Sequence, residues 1–157
     1  MRKRLIGPEP PVATGGAGDF LDLERIATVE VTSEDPRHPV ESALVPGPGD
    51  GWRAAAPGPQ KVRLVFDAPQ RIRRVRLVFE ERGVERTQEF ALSWVSSTPG
   101  AGGALLRQQY TFSPGGATRE VEDFAFDLGE ATALELEIVP EIGGGGTLAS
   151  LVSFQVA

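Results

Sequence analysis

A chain of 157 residues with a formal net charge of −6 and not one cysteine has the length for a single buried core and no disulfides to staple it. The missing thiols also exclude thiolate metal sites, iron–sulfur clusters and cysteine nucleophiles, and the absence of asparagine excludes N-glycosylation. An acidic body argues against nucleic acid, which is held by basic surfaces that release counterions. No apolar run reaches the roughly 20 residues of a membrane span, and the first residues lack the apolar stretch of a signal peptide. A bacterial cytoplasmic location is therefore the default expectation, an extracellular one if the chain is a module of a longer secreted protein.

Residues 7–18 are rich in Pro and Gly with almost nothing to bury, so residues 1–19 read as a tail or linker and residues 20–157 as the folded domain. Leu21, Leu23 and Ile26 between charged neighbours fit either a short helical turn or a lead-in strand. Val29 and Val31 alternate with Glu30 and Thr32 as a first strand, ended by Ser33-Glu34-Asp35-Pro36. A Gly/Pro loop over 46–51 then delivers Trp52 and Arg53, and a Pro-Gly-Pro turn follows at 57–59.

From there the alternation is regular. Val62, Leu64 and Phe66 interleave with Lys61, Arg63 and Val65, and Val75, Leu77 and Phe79 with Arg74, Arg76 and Val78. A period of two sends one set to each face of a sheet. Strands are expected at 60–66, 72–81, 87–95, 105–112, 119–127, 133–139 and 149–156, separated by Pro and Gly clusters. About eight strands at this spacing, without helical periods between them, predict an all-β fold, an antiparallel sandwich of the jelly-roll kind. Gly143-Gly144-Gly145-Gly146 precedes no helix, so it is a loop tip and not a phosphate cradle.

The order of features resembles a known superfamily. Residues 39–44, then Gly51-Trp52-Arg53-Ala54, the strands over 62–67 and 72–77, the stretch Phe90-Ala91-Leu92-Ser93-Trp94, and the segments 133–140 and 149–154 are similar to the galactose-binding-like jelly roll. That group includes discoidin or coagulation-factor type C domains and many carbohydrate-binding modules. The resemblance runs over 26–156 and implies an eight-stranded sandwich that takes ligands with loops at one end. Such domains often carry Asp-Gly-Asn before the loop that reaches the Trp, where this chain has Val45-Pro46-Gly47; Asp50 and, more weakly, Asp35 are the substitutes. No cofactor is expected. A structural calcium ion, frequent in the superfamily, is left open, since its six to eight oxygens include carbonyls that a sequence does not reveal.

Trp52 has two readings: an aromatic platform for a sugar ring, or a plug for the end of the sandwich, which is favoured. Trp94 shares parity with Phe90 and Leu92, and Tyr110 and Phe112 with Leu106, so all are expected in the core. His38, the single histidine, lies between two prolines and has no partner at catalytic spacing. Glu135 and Glu137 alternate with apolar neighbours as a solvated face, and no pair of carboxylates stands out as glycosidase acids. The arginines at 71, 73, 74 and 76 are expected to pair with carboxylates across strands. These residues describe a non-catalytic binding module with a carbohydrate ligand held by the loops at 35–39, 47–53, 97–103 and 141–146. Trp52 would contribute by stacking, and Arg53, Asp50 and His38 by hydrogen bonds. The alternative is a protein–protein interaction or assembly module using a sheet face or the same loops.

Overall fold

A computed structural model describes residues 20–47 and 49–157; the expected tail over 1–19 lies outside them. A single turn of helix, α1 (Leu23–Ile26), leads into strand β1 (Ala27–Val31), and a second, α2 (Glu41–Leu44), interrupts the following loop. The other strands are β2 (Trp52–Pro57), β3 (Gln60–Glu80), β4 (Arg86–Ser96), β5 (Gly102–Phe112), β6 (Arg119–Val139), β7 (Leu148–Leu151) and β8 (Ser153–Val156). All pairings between them are antiparallel.

Two 21-residue strands organise the fold. The first half of β3 pairs with β1 and with the second half of β6, which also pairs with β4; the second half of β3 pairs with the first half of β6 and with β8. β3 and β6 thus pass together from one layer of the sandwich to the other, as strands do when they turn the corner between packed sheets. The sequence reads each as two strands because Pro69 and Gly129 look like terminators. The structure instead absorbs them in register shifts between Val65 and Arg74, where a proline costs no ladder bond. Conversely, the expected strand over 149–156 divides into β7 and β8 at Val152, whose N–H turns to the carbonyl of Val78 at 2.9 Å.

The core follows the alternation. Val62, Leu64, Phe90, Leu92, Leu134 and Leu136 come from one layer and Ile72, Val75, Leu77, Phe79 and Phe154 from the other, all buried. Phe79 and Phe90 meet across the layers with ring centroids 5.2 Å apart. Phe112 joins this core, whereas Trp94 and Tyr110 are only partly buried and pack on its margin. Tyr110 belongs to edge strand β5 and donates its hydroxyl to the carbonyl of Arg119 at 3.2 Å.

The register also fixes the two ends. Loops 32–51, 81–85, 113–118 and 140–147 open at one end. The β4–β5 hairpin over 97–101 lies at the other, where Ser97 N–H reaches the carbonyl of Glu130 at 2.9 Å. The C-terminus is at that far end too, with Ala157 and Arg74 exchanging backbone bonds of 2.9 Å. The expected grouping of 97–103 with the ligand loops is therefore corrected, because the tip of a hairpin lies a full strand length from its open ends.

Candidate functional site

The open end is built on Gly51 and Trp52. Gly51 adopts φ 82°, and a Cβ there would sit 2.7 Å from Cα of Val152, so only glycine lets β2 approach β7 this closely. The chain then turns the Trp52 ring inward. It is 1% exposed, and its indole N–H donates to the carbonyl of Ser33 at 3.0 Å. A ring so enclosed has no free face, which agrees with the favoured reading of Trp52 as a plug and leaves the alternative stacking role no surface.

Arg53, next along β2, points outward. Its backbone holds the preceding loop: Arg53 N–H donates to His38 at 3.1 Å, and its carbonyl accepts from Asp35 N–H at 2.8 Å. The Asp35 carboxylate is engaged by Arg37, at 3.0 Å from the backbone N–H and 3.3 Å from the guanidinium. These two bonds, the backbone one first, hold its pKa below the usual carboxylate value.

Together these segments enclose a cleft of about 330 Å³, within the size range of small-molecule sites. Its rim carries His38, Asp50, Arg53, Glu80 and Ser150, and its floor is Trp52, Leu151 and Val152. The structure thus gathers all four residues expected at the site, Trp52 as floor and the other three at the rim. Among the described residues no hydrogen bond or ion pair reaches the side chains of His38, Asp50 or Arg53. Glu80, by contrast, is bridged by Arg82 at 3.0 Å and Arg119 at 3.1 Å. Sequence reasoning left out Glu80 and Ser150, whose presence here follows from the β2–β7 ladder and the end of β3. Of the expected loops, 141–146 opens at the same end but contributes nothing to this cleft.

Behind the loops lies a buried polar cluster. The Arg86 guanidinium donates to Glu81 at 2.8 Å and to the carbonyl of Pro140 at 2.7 Å, and sits 4.9 Å from the ring centre of Phe112. Gln88 accepts from Arg86 at 3.3 Å and donates to Glu120 at 3.2 Å. Glu120 is 2% exposed; burial first, and then its bond to Glu122, pushes its carboxyl up to about 8 against the Gln88 bond. It is enclosed in the sandwich and not presented to a substrate.

Among the described residues no three His, Asp or Glu side chains converge, and Asp35 is already taken by Arg37. Of the arginine run, Arg74 pairs with Asp123, its Nε at 2.7 Å, and Arg71 with Asp127 at 2.8 Å.

Layers and pairing define the fold class: an antiparallel β-sandwich of the jelly-roll kind. Solved structures with this fold include the family 32 carbohydrate-binding module of Clostridium perfringens NanJ, in complex with galactose. It is 15% identical, covering 83% of this chain and 92% of that one at a TM-score of 0.57. CBM32-3 from a family 31 glycoside hydrolase of Clostridium perfringens is 14% identical over 90% of this chain and 96% of that one, at 0.59. Chitosan-binding module 1 of a Paenibacillus sp. IK-5 chitosanase/glucanase is 21% identical over 86% and 97%, at 0.53. At such identities the likeness establishes the fold, which is the one that the order of sequence features implies. No protein-family model matches the chain, and no curated protein sequence does. Among the described residues no helix is long and apolar enough to cross a membrane.

Proposed function

We propose that this chain is a non-catalytic carbohydrate-binding module whose ligand sits in the open-end cleft. The observation that carries the reading is the rim itself: His38, Asp50 and Arg53 bring donors and an acceptor, with side chains that no hydrogen bond or ion pair reaches among the described residues, around a cleft of about 330 Å³. Sugars are recognised by such hydrogen bonds, and groups with no partner in the protein have their capacity available for a ligand. The solved neighbours in complex with galactose and with GalNAc-β-1,3-galactose support the ligand class. With Trp52 buried, recognition here is by hydrogen bonding over an apolar floor and not by a stacked indole.

A glycan array probed with the purified chain, with and without calcium, tests this. Binding is expected in both conditions, and Arg53→Ala is expected to lower it about tenfold by removing one charged hydrogen-bond donor. Its melting temperature should stay unchanged, because the side chain is exposed. Binding that survives Arg53→Ala would remove the cleft from the mechanism.

A further inference from the structure

A second concave surface lies on the outer face of the layer that contains β4. Two adjoining troughs, of about 370 and 180 Å³, share Ser93 and Glu135. The pairing explains them: Arg63, Glu135 and Ser93 stand in one row across β3, β6 and β4, and Glu137, Ala91 and Arg107 in the next across β6, β4 and β5. Small side chains at Ala91, Ser93 and Ala133 form a low floor between longer walls.

Among the described residues no hydrogen bond or ion pair reaches the side chains of Ser93, Glu135 or Glu137. The Nε of Arg63 is buried without a hydrogen-bond partner, with only the carboxylate of Glu30 at 3.9 Å. Buried polar atoms without partners are rare enough to call for one. Two free carboxylates two residues apart along a strand are about 7 Å from each other, and Trp94 and Val95 add apolar surface beside them.

We infer that this trough is a second binding site, for a neutral oligosaccharide laid along β4 with its hydroxyls on Glu135, Glu137 and Ser93 and its C–H face on the floor. A sugar ring has polar edges and an apolar face, which is the distribution of chemistry in the trough. The ligand class rests on the carbohydrate reading of the open-end cleft, but the two surfaces share no residue.

Backbone amide spectra of the isotope-labelled chain, titrated with cello-, xylo-, manno- and galacto-hexaose, separate the two sites. Expected are shifts at Ala91, Ser93 and Ala133 that Glu135→Ala weakens about tenfold and Arg53→Ala leaves alone; Glu137→Ala serves as a second variant should the first fail to fold. Shifts confined to the open-end cleft would refute the trough and leave the cleft reading standing. No shift with any of the four sugars would count against both. Shifts in the trough that depend on protein concentration without sugar would identify a second copy as the occupant and overturn the proposal.

Discussion

The two ends of the sandwich are built on opposite plans. At the far end β3 and β6 turn the corner together, the β4–β5 hairpin folds back, and Ser96 and Ser97 bond the turn at Gly129 and Glu130 with distances of 3.0 and 2.9 Å. Continuous strands leave little loose polar capacity there. At the open end the chain crosses between layers in loops, and no hydrogen bond or ion pair from the described residues reaches the side chains of rim groups such as Arg53 and Asp50. A fold that closes one end with strands and the other with loops has one end free to vary chemically without touching the core.

The largest effect should come from removing the floor of the open end. Trp52→Ala deletes a fully enclosed ring and its bond to Ser33, and is expected to cost about 3–5 kcal/mol in urea unfolding. A loss below about 1 kcal/mol would mean that the open end is not anchored through this ring.

Next is the proton on Glu120. Its carboxyl rises from 4.5 in the unfolded chain to about 8 in the fold, so folding retains a proton that the unfolded chain has already released. The stability this group contributes is full below pH 4.5 and is lost as pH rises through 8, with a slope of about 1.4 kcal/mol per pH unit in between. Denaturation across that range should show the decline, and Glu120→Gln should flatten it. A slope unchanged in the variant would place the proton elsewhere.

The smallest effect tests the far end. Glu130 is the one non-glycine residue with positive φ among those described, at 57°, a conformation that costs an L-residue about 1 kcal/mol. Glu130→Gly should raise stability by about 0.5 kcal/mol, after the extra unfolded-state entropy of glycine is set against the relief, without altering any ligand binding at the open end. Calorimetry that finds a loss instead would show that the Glu130 side chain, 3.5 Å from the Ser97 hydroxyl, outweighs the strain.

Much of the layer structure was legible because burial on a sheet obeys a period of two. The alternation in 60–66, 72–79 and 133–139 names the inward residues Val62, Leu64, Leu77, Phe79, Leu134 and Leu136 without knowledge of their neighbours. Pro69 and Gly129 misled because a proline or glycine ends a strand when its neighbours have somewhere else to go, and becomes a bulge when the partner strand bends with it. The open-end cleft was half legible: Gly51-Trp52-Arg53 and His38 mark loops that meet there, whereas Glu80 carries no signal to distinguish it from the neighbouring Glu81.

The amino-acid sequence by itself determined the strand content, the face that each strand buries and the absence of thiol chemistry, since these depend on side-chain type and local spacing. Only the tertiary structure decided that β3 and β6 run unbroken through both layers, that the 97–103 turn lies away from the ligand loops, and that Trp52 is enclosed while Arg53 is free. Those outcomes rest on pairing between residues far apart in the chain, Trp52 with Leu151 and Gln70 with Ala131, and on a register that no local pattern encodes.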